Sequence, residues 1–196
     1  MISSMVLAAG MSTRMGEPKA LLDWGGEPLI CYQVKQLIEA GVDEVIVVLG
    51  YRGDEVHRAI KRLPCRVMLN PRFHTGRAGS LRIGAKAVNR DADAIVISNV
   101  DQPRPTSLIK ELIAAHETRF AATRPSFDGH HGHPVVLSGW MRKELLEVTD
   151  DNDGLRGILR AHATEMREIE ADASLQVDLN TPGDYQQALR AFGLAS

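Results

Sequence analysis

This chain of 196 residues has only two cysteines, Cys31 and Cys65. That excludes a disulfide framework. Cys31 falls on the apolar face of a predicted helix and Cys65 beside a predicted strand, so both read as buried reduced thiols. No apolar run approaches the ~20 residues that span a bilayer. The first residues carry neither the basic start nor the apolar core of a secretory signal, and a cytosolic location is the expectation. The formal net charge is only −2, so no global field draws nucleic acid. The 23 lysines and arginines are scattered without interleaved aromatics, and aromatics make up just 5%. A nucleic-acid interface is therefore unsupported. Gly-x-Ser-x-Gly is missing, and no serine or cysteine pairs with a histidine in a nucleophile arrangement. The Gly-Lys-Ser/Thr of a Walker A loop and the Gly-x-Gly-x-x-Gly of a dinucleotide fold are missing too.

A composition of 44% hydrophobic and 24% charged residues is that of a soluble globular chain, and residues 1–196 read as one domain. Strand and helix patterns alternate. Ile2–Leu7, Glu44–Leu49, Arg66–Leu69 and Ala94–Ser98 read as strands. Pro28–Ala40, Asp54–Leu63, Ser80–Asn89 and Thr106–Glu117 read as helices between and after them. Gly41 is placed to end the first helix. Further strands are expected at Phe120–Thr123, Pro134–Leu137 and Thr164–Ile169, with a polar loop at Ser126–Gly132. Helices are expected at Met141–Val148 and Leu155–His162. A short strand at Val177–Leu179 leads to a last helix from Pro182. The alternation predicts an α/β fold of three layers, Rossmann-like, with a mostly parallel sheet and an added antiparallel strand. In such a sheet, ligands sit beyond the carboxyl ends of the strands.

One stretch there dominates: Leu7-Ala8-Ala9-Gly10-Met11-Ser12-Thr13-Arg14-Met15-Gly16-Glu17-Pro18-Lys19. It leaves the first strand and precedes the first helix. Small residues let the backbone approach a ligand, and successive N–H groups can form a nest for anionic oxygens. Arg14 offers a planar fork for phosphate and Lys19 a mobile point charge. The ordered set Gly10, Arg14, Gly16 and Lys19 points to a nucleoside triphosphate site, with Leu7, Ala8 and Ala9 lining it.

The string from Leu7 to Ile30 resembles the signature of the MobA-like nucleotidyltransferases, and within them the molybdenum cofactor cytidylyltransferases. The resemblance implies a loop wrapped around the triphosphate and a lysine near the α-phosphate. Asn99-Val100-Asp101-Gln102-Pro103 is similar to the family's Leu-Gly-Asp-Gln-Pro, whose aspartate binds metal, with Asn99-Val100 departing from it. Asp101 follows a strand directly and is well placed for Mg²⁺. Val177-Asp178-Leu179-Asn180-Thr181-Pro182-Gly183-Asp184-Tyr185 resembles a second metal segment. Along a strand Asp178 and Asn180 would face one side, and the carboxylate of Asp178 is the better Mg²⁺ ligand. Thr181 and Asp184 read as helix-start residues.

Asn70, Gly79 and Ser80 match family positions near the base and ribose, although Ser80 reads equally well as a helix cap. Arg72 and Arg77 can reach phosphate or simply be exposed. His130, His131 and His133 invite a transition-metal reading, but their spacing fits no closed zinc site. Gly132-His133-Pro134-Val135-Val136 instead resembles the family's acceptor side, which assigns His133 and Pro134 to the acceptor. Arg156, in a loose match at Asp151–Gly157, is assigned to the acceptor's phosphate; the alternative there is a capped helix start.

The resemblance thus implies transfer of CMP from CTP to a molybdopterin-type cofactor, with Mg²⁺ and release of pyrophosphate. Arg14, Lys19 and Asp101 are its catalytic residues. A molybdoenzyme or its chaperone would receive the product; nucleic acid and membrane are not partners. Ala8-Ala9-Gly10 favours CTP over another NTP, because guanylyltransferases of the family tend to carry Ala-Gly-Gly. The alternatives are a guanylyltransferase, a sugar-1-phosphate nucleotidyltransferase, or a non-catalytic carrier of the molybdenum cofactor.

Overall fold

A computed structural model describes residues 1–195. Three strands form its centre: β1 (Ile2–Ala8), and β2 (Glu44–Leu49) and β4 (Ala94–Asn99) with their β-branched runs. β3 (Arg66–Leu69) lies outside β2. β1 pairs in parallel with both β2 and β4, and β2 with β3. The eight-stranded sheet continues through β7 (Val135–Ser138), antiparallel to β4, to β5 (Ala122–Phe127). β6 (His130–His131) and β8 (Met166–Glu170) both pair with β5.

Helices cover both faces because alternate strand residues supply two cores. Val6, Val47 and Val96 point to one face, with Leu29, Val34 and Leu37 of α1 (Leu29–Glu39) and Leu112 of α4 (Thr106–Ala115). α2 (Gly53–Ile60) and α7 (Pro182–Ala191) complete that layer through Val56 and Ala188. Met5, Ile46 and Ile95 point to the other face, toward α3 (Ala78–Ala87), α5 (Arg142–Glu147) and α6 (Gly154–Ala161). α3 packs close on β1: a Cβ at Gly84 would lie 2.7 Å from the Met5 sulfur.

Three local expectations are corrected. The polar loop at Ser126–Gly132 is largely strand, because β5 runs to Phe127 and turns into β6. Between Ser126↔His131 and Thr123↔Val136, two residues of β5 face four on the return, so Gly132-His133-Pro134 leaves the ladder. Ser80 is not a cap: α3 starts at Ala78, and the Asp150 carboxylate accepts from the N–H groups of Arg77 and Ala78 at 2.9 and 3.1 Å. Val177–Leu179 forms no strand, and the Asn180 N–H folds back to the Asp178 carbonyl at 3.0 Å. The start of α7 does match expectation, with Thr181 and Asp184 forming a reciprocal cap behind Pro182.

The loops beyond β4 are fixed by one side chain. Arg104 is only 1% exposed. Its Nε donates to the His133 carbonyl at 3.0 Å. Nη1 donates to the carbonyls of Pro103 and Val177, at 2.8 and 2.9 Å, and Nη2 to that of Leu175 at 2.8 Å. Arg104→Met removes every donor and strands these buried carbonyls. It should lower the unfolding free energy by about 4 kcal/mol, measured by urea denaturation, with Arg104→Lys losing less.

Candidate functional site

Two cavities open at the carboxyl ends of β1 and β4. The smaller, of about 300 Å³, is lined by Leu7, Ala8, Ala9, Gly10, Arg14, Lys19, Ser80, Asp101 and Asn180 together with Phe73, Gly76 and Arg77. Its floor is the loop after β1. Ser12 sits there at φ 53° and Gly16 at φ 77°, and the Ser12 hydroxyl accepts from the Lys19 N–H at 3.1 Å. That bond folds the loop back onto the short 3₁₀ turn carrying Lys19. Among the described residues, none of the N–H groups of Gly10 to Arg14 donates an internal hydrogen bond. They are free for anionic oxygens, as a phosphate nest requires.

Lys19 spans the far wall. Its Nζ lies 3.0 Å from Asp101 Oδ2 and 3.1 Å from Asn180 Oδ1. Arg14 Nη2 reaches the same Asn180 oxygen at 3.5 Å. One ammonium therefore marks a point where a carboxylate and an amide oxygen converge. Asp101 is held there from its backbone: its carbonyl accepts from the Leu179 N–H at 2.8 Å, which also brings Asn180 alongside. From α1, Gln33 Nε2 donates to the carbonyls of Asn99 and Val100, both at 3.2 Å. Tyr32 donates to the Arg104 carbonyl at 3.2 Å, and burial pushes its phenol up to about 12, so it remains a donor. Gln36 Oε1 accepts from the N–H of Thr106 at 2.9 Å and caps α4 from outside it.

The larger cavity, of about 760 Å³, adjoins the smaller one across Leu7 and Arg77, which line both. Arg124, Arg156 and Arg160 give it a basic wall beside His131 and His133, and Leu81, Leu155, Leu159 and Met166 an apolar one. Arg160 is paired with Asp153 and Arg124 with Glu168. Arg156 is exposed; its N–H donates to the Asp153 carbonyl at 3.1 Å, and its guanidinium makes no hydrogen bond among the described residues. The histidines do not converge on a metal. His131 Nε2 faces Glu168 at 2.9 Å, and His133 Nδ1 faces Asn99 Nδ2 at 3.1 Å. Burial, with the guanidiniums of Arg77, Arg104 and Arg156 nearby, pushes His133 down to about 4. Among the described residues, no three His, Cys, Asp or Glu side chains form a metal cluster.

The expected residues therefore divide. Asp178 lines the larger cavity and Asn180 the smaller, so the two do not share a side as a strand would have placed them. Asp178 Oδ1 is buried without a hydrogen-bond partner among the described residues. Asn70 is 3% exposed and lies beneath the site, donating to Ser80 Oγ at 2.9 Å. Gly79 and Pro134 line neither cavity. Arg77, which the sequence left open as a phosphate contact or an exposed arginine, lines both cavities. Arg104 was not evident from sequence: between two prolines, it carried no signal because its partners are backbone carbonyls.

The molybdenum cofactor cytidylyltransferase of Escherichia coli K12 is 28% identical over 97% of both chains. The nicotine blue oxidoreductase of Paenarthrobacter nicotinovorans is 28% identical over 81% of each. Among solved structures, Rv0371c of Mycobacterium tuberculosis superposes with a TM-score of 0.85 at 27% identity, covering 96% of this chain and 97% of that one. The same protein in complex with manganese gives a TM-score of 0.82 at 25% identity, over 97% of this chain and 98% of that one. Residues 4–166 match the MobA-like NTP transferase domain, and the chain belongs to that family.

Proposed function

We propose that the protein transfers a nucleotidyl group, CMP from CTP, to a molybdopterin-type molybdenum cofactor. The observation that carries this reading is the convergence of Lys19, Asp101 and Asn180 in a cavity sharing Arg77 with a second, basic cavity. One cavity suits a triphosphate and the other a phosphorylated acceptor with an apolar body. The relation to the Escherichia coli cytidylyltransferase supports the acceptor and the base.

A divalent cation fits the first cavity, since Asp101 and Asn180 present hard oxygens to one cationic point. Asn180 replaces Asp178 as the preferred companion of Asp101. When bound, Mg²⁺ would supply positive charge to the triphosphate. The chain's own groups do the rest. The free N–H groups of Gly10 to Arg14 hold phosphate oxygens. Lys19 and Arg14 offset charge that develops as the acceptor's terminal phosphate attacks the α-phosphorus and pyrophosphate leaves. Arg77 lies where the two substrates meet, and aligned reactants need little further help. Arg156 is free to receive the acceptor's phosphate.

Base choice is assigned to Ala9. Ala9 lines the smaller cavity, and its methyl lies close beside Gly50, where an added Cβ would come within 2.9 Å of it. It narrows the space for a purine.

Pyrophosphate release with Mg²⁺ and the molybdenum cofactor, measured separately for CTP, GTP, ATP and UTP, tests the reading. Release with CTP alone is expected. Release with GTP would keep the chemistry and overturn the base; silence with all four would favour a non-catalytic carrier. Asp101→Ala should cut turnover about a thousandfold and Lys19→Met about a hundredfold, read by the same assay; a wild-type rate in Asp101→Ala would remove Asp101 from the site. Ala9→Gly should shift the CTP-to-GTP preference about tenfold toward GTP, measured as the ratio of kcat/KM values.

A further inference from the structure

Asn99 lines the larger cavity, is 4% exposed, and bonds to Arg77, which lines both cavities. Three side chains address its amide. Arg77 Nη2 lies 2.9 Å from Oδ1, His133 Nδ1 lies 3.1 Å from Nδ2, and Gln102 Oε1 lies 3.5 Å from Nδ2. A guanidinium only donates, so the atom facing Arg77 must be the amide oxygen. The amide nitrogen then faces His133 and Gln102, and an NH₂ group there only donates. His133 Nδ1 must therefore accept, which requires a bare nitrogen. The proton of the neutral ring is left on Nε2.

We propose that Asn99 is a positioning residue that locks His133 in the Nε2–H tautomer, so that the imidazole meets the second substrate as a hydrogen-bond donor. His133 lines the larger cavity, and its Nε2 has no hydrogen-bond partner among the described residues. The atom it takes is a lone-pair acceptor, a carbonyl or phosphate oxygen. The three guanidiniums that hold the ring neutral act in the same direction as this bond. His133 thus has no free lone pair with which to take a proton from the acceptor, and its role is recognition.

The identity of the receiving substrate rests on the transfer reading above; the tautomer does not. The wild-type protein with ¹⁵N-labelled histidine, examined by NMR at neutral pH, tests the tautomer directly. His133 is assigned from the signal lost in His133→Gln. Nε2 is expected in the proton-bearing range and Nδ1 in the bare range. Asn99→Asp keeps an acceptor for Arg77 but puts a second acceptor against Nδ1, so it should move the proton to Nδ1. Asn99→Leu should give a mixture of the two forms. A wild-type ring with the proton on Nδ1, or an Asn99→Asp protein with an unchanged tautomer, overturns the proposal.

His133→Phe, which removes the donor and leaves the Arg77 charge uncancelled, separates the two cavities in function. The CTP dissociation constant by calorimetry should stay within about twofold, and the KM for the molybdenum cofactor should rise about tenfold. An unchanged KM overturns the contact with the second substrate. A protein that turns over no NTP yet carries the proton on Nε2 overturns the transfer reading and supports the tautomer assignment.

Discussion

The geometry of both cavities depends on a buried guanidinium that hydrogen-bonds to none of the carboxylates lining them. Arg104 spends its donors on four carbonyls, those of Pro103, His133, Leu175 and Val177. Those carbonyls belong to the loop after β4, the break between β6 and β7, and the segment before α7. Each segment delivers one site residue: Asp101, His133 and Asn180. A backbone carbonyl buried in a loop has no ladder to join and must find a donor elsewhere. One planar group with five N–H bonds meets that need in three segments at once. Burial pulls the guanidinium down to about 10, opposed by the carboxylates of Asp178, Asp101 and Asp172. It therefore stays charged at neutral pH, and those carboxylates have a second reason to stay nearby.

Helix α1 completes the support from the opposite side. Its buried face is apolar at Leu29, Ile30, Val34 and Leu37 but carries the nearly inaccessible amide of Gln33. Tyr32, Gln33 and Gln36 satisfy the backbone of Asn99, Val100, Arg104 and Thr106. The Asp101 loop is thus clamped between α1 and Arg104. Reactive groups on loops hold their geometry only when such supports fix the loop.

Much of this was legible in the sequence where the signal is contiguous. The loop from Leu7 to Lys19 supplies half of the smaller cavity's polar side chains from one stretch, and its glycine and cations act near their sequence neighbours. The parallel centre of the sheet follows from β-branched runs alternating with amphipathic segments. Errors came where local pattern stood in for tertiary pairing. Asp178 and Asn180 would share a side only on a strand, and a backbone turn sends them to different cavities. Ser80 read equally as a cap or a nucleotide contact, and the cap reading fails because Asp150, far along the chain, caps α3 and leaves the serine hydroxyl to Asn70. Arg104 bonds carbonyls up to 73 residues away. Carbonyls are common to all residues, so no composition or spacing could mark them.

A net charge of −2 is compatible with an anion site because charge is arranged locally. The smaller cavity sets Arg14, Lys19 and Arg77 against the single carboxylate of Asp101. The larger sets Arg77, Arg124, Arg156 and Arg160 against Asp150, Asp153 and Asp178. Several of those charges are already engaged: Arg160 with Asp153, Arg124 with Glu168, and Asp150 with the start of α3. Arg77 is shared, and its only side-chain partner in the described residues is the neutral amide of Asn99. A neutral partner orients the guanidinium without cancelling its charge. Under the proposed transfer, two mutually repelling anionic substrates meet at this guanidinium, between the free N–H groups of Gly10 to Arg14 and the arginine wall of the larger cavity. That arrangement favours Arg77 as the electrostatic hinge of the cleft, with Asn99 setting its direction.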